Sequence, residues 1–176
     1  MWCAALWVTA VVVQAAPAVE LGVKEERPAD GKPCARVYTT ADTQLRGCGN
    51  TMEFWVNNAR VGKPVALGDM NVKGVRAFQD GARVVFVVDV GDEGNSSLSF
   101  HALAAGKHVA LGSVDWMVDD GDSPSALPLA IAGVKDGVLS FSFSKPLVQL
   151  DKAGMPVAVK NAHLTVTAKK VVQPRR

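Results

Sequence analysis

Beyond residue 20 the apolar positions do not recur at helical spacing. They come in short runs rich in Val, Phe and Leu, separated at close intervals by Gly, Asp, Asn and Pro. This pattern predicts an all-β chain with strands at 52–57, 65–67, 72–78, 83–90, 98–103, 108–114, 138–143, 147–150, 157–159 and 163–168. Two of these runs also predict how they are buried. Val84-Val85-Phe86-Val87-Val88 is apolar on both faces, which marks an interior strand with packing on either side. Leu139, Phe141 and Phe143 alternate strictly with Ser140, Ser142 and Ser144, so that strand buries one face only.

The pattern repeats. VGKPVALG at 61–68 is echoed by AGKHVALG at 105–112, and MEFWVNN before the first copy aligns with LSFHALA before the second. In a third copy LVQLDKA runs into GMPVAV. The central glycines Gly62, Gly106 and Gly154 lie 44 and 48 residues apart, and each copy follows an Asp-Gly pair: Asp30-Gly31, Asp80-Gly81 and Asp136-Gly137. Asp-Gly supplies the positive φ of a tight hairpin and the later glycine a second reversal. Each unit therefore reads as a meander of about four strands, over 30–71, 72–115 and 127–168. A four-stranded unit recurring every ~45 residues is the signature of a propeller blade.

The segment QDGARVVFVVDV, followed by LSFHALAAGKHVALG, resembles the blade of the TolB-type propellers, in which an Asp-Gly turn opens an inner strand and a Gly-Lys turn joins the two outer ones. The resemblance implies a propeller-like or partial-propeller fold and an assembly or periplasmic accessory role. Blades of this type also occur in peptidases and lyases. A closed propeller typically needs at least four blades, so a β-sandwich and a β-trefoil stay open as alternatives. An open arrangement would expose unpaired strand edges, which makes a homo-oligomer joined through those edges a candidate assembly.

The first residues differ from the rest. Residues 1–13 carry no charged side chain, and Ala16-Pro17-Ala18 follows. A short apolar run before an A-x-A arrangement reads as a secretory signal peptide, too short for the ~20 residues of a membrane-spanning helix. The expectation is a signal peptide at 1–18 and one domain at 19–176, in a periplasmic or secreted location, with no stable membrane span after signal removal. That leaves Cys34 and Cys48, an even count that in an exported chain predicts a disulfide. Net charge is +2, and apart from residues 169–170 and 175–176 the basic residues are scattered. Without a concentrated basic face, nucleic-acid binding is not expected.

Candidate chemistry is sparse. Neither Gly94-Asn95-Ser96-Ser97 nor Leu111-Gly112-Ser113 forms a G-x-S-x-G nucleophile elbow. His101, His108 and His163 lie in strand patterns outside any metal-binding array, and alternation points His101 away from the face bearing Phe100. They read as structural. Asp89, Asp92, Glu93 and Asn95 crowd one loop, and Asp115, Asp119, Asp120 and Asp122 crowd another around Gly121. Asp119, Asp120 and Asp122 are a candidate calcium site, although the spacing is not that of an EF-hand. Carboxylates in such loops are also what a glycan or peptide hydrolase would use.

Trp55 and Trp116 on successive units, with Asn57, Asn58 and Arg60, which lengthen the first hairpin, are candidate binding residues. Every recognisable motif specifies turns and strands rather than a reacting group. The expectation is an exported, non-catalytic β-repeat protein without a cofactor, which binds another protein or a cell-envelope component. A hydrolase, calcium-assisted in one version, is the alternative.

Overall fold

Short apolar runs closed by turn residues fold most cheaply onto their sequence neighbours, and a computed structural model of the chain shows that outcome. It describes residues 18–29, 32–91, 96–116, 129–135, 138–143, 147–159, 162–167 and 169–172, and every element among them is a strand. In chain order, β1 (Val19–Leu21) joins the second of three larger sheets, and the first is formed by β2 (Lys24–Glu26), β3 (Arg36–Thr40), β4 (Thr43–Cys48), β5 (Thr51–Val56) and β6 (Ala59–Ala66). The second continues with β7 (Asn71–Asp80), β8 (Arg83–Gly91), β9 (Ser96–Ala104) and β10 (Lys107–Trp116), with β1 on its β7 edge. The third contains β11 (Leu129–Lys135), β12 (Val138–Phe143), β15 (His163–Val166) and β16 (Val171–Val172), while β13 (Leu147–Leu150) and β14 (Pro156–Val159) pair only with each other. All pairings are antiparallel, and none of the sheets closes on itself.

The middle sheet is the shared wall. Its Phe78, Val85, Val87, Leu98 and Phe100 pack with Leu139, Phe141, Leu164 and Val166 of the third sheet. Its other face sends Phe86, Val88, Val90 and Leu103 against Tyr38, Leu45, Met52 and Phe54 of the first. Val85, Phe86, Val87 and Val88 are all fully buried, as the doubly apolar run predicted. In β12, Leu139 and Phe141 are fully buried while Ser140 and Ser142 on the opposite face are half-buried, which is the expected alternation. Arginines reach across both seams: Arg36 Nη1 donates to the Lys73 carbonyl at 3.2 Å, and Arg83 Nη1 to the Thr167 carbonyl at 3.1 Å.

The hairpins correct the repeat at residue level. Gly106 turns a hairpin as expected, because Ala105 and Gly106 both have positive φ (48° and 68°), the type I′ geometry that suits strand twist. Gly62 does not. The equivalent turn in the first sheet is Asn57-Asn58, with φ of 48° and 63°, so these residues are the turn itself rather than an extension of the hairpin. Asparagine tolerates this conformation, and the turn falls wherever it keeps Met52 and Phe54 facing inward. Gly62 instead sits at a bulge inside β6, where pairing shifts between Met52 and Phe54, and its counterpart is Gly112 at the bulge in β10. The third copy departs further, since its hairpin β13–β14 stands apart from the sheet formed by β11, β12, β15 and β16.

The Cys34–Cys48 disulfide is present and ties the segment before β3 to the end of β4. The edges of the first sheet are guarded. In β2, Lys24, Glu25 and Glu26 are all exposed, and β6 presents Lys63 and Pro64 beside its bulge, features that discourage strand addition. Two substitutions separate the layers. Phe86→Ala opens a void against the first sheet and Phe141→Ala one against the third, each expected to cost about 3–5 kcal/mol in urea unfolding. Cys34→Ser with Cys48→Ser is expected to cost up to about 3 kcal/mol in the same assay.

Candidate functional site

Alternation in the first sheet divides its side chains cleanly. With Tyr38, Leu45, Met52 and Phe54 committed to the core, Gln44, Arg46, Glu53 and Trp55 take the opposite face, and Arg60 joins them from β6. Register sets their contacts: Gln44 lies across from Trp55, Arg46 from Glu53, and Trp55 from Arg60. The Arg46 guanidinium lies over the Trp55 ring, 3.9 Å from its centroid, a cation–π arrangement. Gln44 Oε1 holds that guanidinium by accepting from Nε at 3.0 Å and Nη2 at 2.7 Å. The indole Nε1 donates to Glu53 Oε2 at 3.1 Å, and Arg60 Nη1 donates to Glu53 Oε1 at 3.3 Å. Lys24 and Glu26 form a separate pair on β2 at 2.7 Å.

Of the binding candidates, Trp55 and Arg60 are therefore brought into one cluster, with exposed Asn57 and Asn58 at the adjoining hairpin tip. Trp116 ends β10, opposite Ser96. Asp119, Asp120 and Asp122, and likewise Asp92, Glu93 and Asn95, lie outside the described residues. Asp89, which the sequence places both in the 83–90 strand and beside the acidic loop, lies in β8, buried opposite Gly74 and Leu98. Among the described residues no three His, Cys, Asp or Glu side chains are grouped to hold a metal ion.

A second cluster was not anticipated from the sequence. Ser99 Oγ lies 2.7 Å from His101 Nε2, and His101 Nδ1 lies 3.0 Å from His108 Nε2. The two-residue turn creates it: pairing of Leu103 with His108 puts His101 and His108 diagonally on one face of the hairpin. The hairpin register was the available signal. Phe54 stacks on His108 from the first sheet, with centroids 4.3 Å apart. A Cβ at Gly62 would come within 3.2 Å of the His108 Cβ, so the bulge glycine is what lets β6 close over the imidazole.

Serine, histidine and a third group in line suggest an activated nucleophile, but the environment argues otherwise. His101 is only 2% exposed, and burial, reinforced by His108, depresses its pKa to about 3. A general base works best near the operating pH, and this one is about four units below neutrality. Both ring nitrogens of His101 are hydrogen-bonded, so the relay satisfies a buried polar group and locks the seam between two sheets. That is the structural role expected for His101. No protein-family model matches the chain, and no curated protein or solved structure matches it either.

The buried imidazoles set an acid limit on stability. Unfolded His101 takes up a proton below pH ~6.5, whereas folded His101 does so only near 3, and burial lowers His108 as well. Stability is therefore full above ~6.5 and falls with decreasing pH, by up to ~1.4 kcal/mol per unit for His101, with His108 adding in the same direction. Glu20, hydrogen-bonded by Arg76, and Glu26, hydrogen-bonded by Lys24, are both held below 4.5, so their stabilising contributions are lost only at lower pH. Urea unfolding between pH 6.5 and 4.5 is expected to show the histidine slope, and His101→Gln is expected to remove about one proton's worth of it.

Proposed function

We propose that this chain is an exported, non-catalytic β-repeat protein of propeller-like meanders, and that it binds another protein or a cell-envelope component through the outer face of its first sheet. The observation that carries this reading is Trp55, half-buried on an open sheet face and held by Arg46 over its ring and Glu53 on its indole nitrogen. Trp and Arg are the side chains most enriched where binding energy concentrates, and a fixed aromatic loses little entropy on contact. The paired charges Glu53–Arg60 and Lys24–Glu26 supply a polar rim.

Three further features support it. The disulfide is consistent with an oxidising compartment, and the Ala16-Pro17-Ala18 motif suits removal of a leader. The guarded edges of β2 and β6 favour binding by face over strand addition. At the centre of the Ser99–His101–His108 relay, His101 is buried and weakly basic, which favours a structural over a catalytic role. The reading requires no cofactor, so neither calcium nor EDTA is expected to shift the melting temperature.

Affinity capture from an envelope extract tests the reading. The wild-type chain is expected to retain a specific partner, Trp55→Ala to lose at least ten-fold in retention, and Asn58→Gly, which keeps the turn, to change it little. Full retention by Trp55→Ala, or a monomer that captures nothing, would overturn it.

A further inference from the structure

The proposed binding face carries an unbalanced charge. Glu53 lies directly across from Arg46, yet one of its oxygens accepts from Trp55 and the other from Arg60. Lys24 and Glu26 neutralise each other. Among the described residues Arg46 makes no ion pair, and its side-chain hydrogen bonds go to the neutral oxygen of Gln44. Of the five N–H donors of a guanidinium, Gln44 takes one on Nε and one on Nη2, leaving three. The three that remain include both on Nη1 and one on Nη2, the end-on fork that fits a carboxylate bidentately.

We propose that Arg46 is the anchor for a single carboxylate, an Asp or Glu side chain of a polypeptide partner, docked end-on beside Trp55. This rests on the first-sheet face being the binding surface and names the chemistry it selects. Trp55 and Gln44 already hold the guanidinium in place, so the partner does not have to order it. A sugar ring is the less suitable occupant, because the indole face it would stack on already carries Arg46. An anionic polymer is less suitable too, since binding one draws on many cations and, in the cluster around Trp55, Arg46 is the one described cation without an ion pair.

The test titrates the isotope-labelled full chain with a capped peptide containing one glutamate, and with its glutamine counterpart. The glutamate peptide is expected to give saturable shifts at the Trp55 indole N–H and the Arg46 Nε–H, weakened by salt, and the glutamine peptide none. Binding is expected to fall at least ten-fold in Arg46→Ala and several-fold in Arg46→Lys, which keeps the charge and loses the fork. Arg46→Gln, with the melting temperature measured alongside, serves if Arg46→Ala does not fold. Equal response to both peptides, undiminished binding in a folded Arg46 variant, or binding of dextran sulfate alone would overturn the proposal. Its failure is separable from that of the binding face: if Trp55→Ala abolishes capture from extract while Arg46→Ala leaves it intact, the face stands and the carboxylate assignment falls.

Discussion

Burial of both faces of β8 is the constraint on which the rest of the structure depends. Four consecutive side chains, Val85 to Val88, are removed from water in alternate directions, so neither neighbouring sheet can leave without exposing half of them. At about 25 cal/mol per Å² of apolar surface, one such side chain contributes on the order of 2 kcal/mol, and β8 divides its contribution between two interfaces. The outer sheets need only one apolar face each. Their other faces are released from packing, which is why Gln44, Arg46, Glu53 and Trp55 can stand together on one and Ser140 and Ser142 on the other.

The seam between the first two sheets is not purely apolar, and one of its polar clusters lies where the β9–β10 hairpin meets β6. His101 and His108 satisfy each other and Ser99, and Phe54 covers them from across the seam. An unpaired polar group at this depth would cost more than a hydrogen bond contributes, so the relay holds the hairpin of β9 and β10 to one alignment with β6. The same seam separates the buried chemistry from the exposed cluster around Trp55. Phe54 and Trp55 are adjacent in sequence, and the pleat sends one to the histidines and the other to the outer face.

Much of this was legible in the residues, for particular reasons. The Val84–Val88 run and the Leu139–Ser144 alternation encode burial directly through the two-residue period of a strand, and the structure follows both. Cysteine parity foretold the Cys34–Cys48 bond. The turns were harder. Glycine was taken to mark reversal at Gly62, but positive φ is also open to Asn57-Asn58, and inward facing of Met52 and Phe54 decided between them. Strands β1 to β4, β11 and β16 were missed because Lys24–Glu26 is wholly charged, Thr43–Cys48 is mostly polar, and Val171–Val172 is short. The histidine relay and the Arg46–Trp55 stack depend on contacts between residues paired across hairpins, which emerge only once register is known.

Nearly every pairing joins strands adjacent in the chain; β12 with β15 skips one hairpin, and β1 with β7 skips a whole sheet. Val19 to Leu21 lie beside Ala77 to Gln79, with the whole first sheet intervening. As a polypeptide emerges from its N-terminal end, the first sheet has all its own partners before β7 appears. Strand β1 must wait through that interval with its backbone hydrated. The strand pairing that spans the most sequence among the described residues is thus completed by residues that appeared before the whole first sheet, and order of synthesis and order of assembly run in opposite directions at that edge.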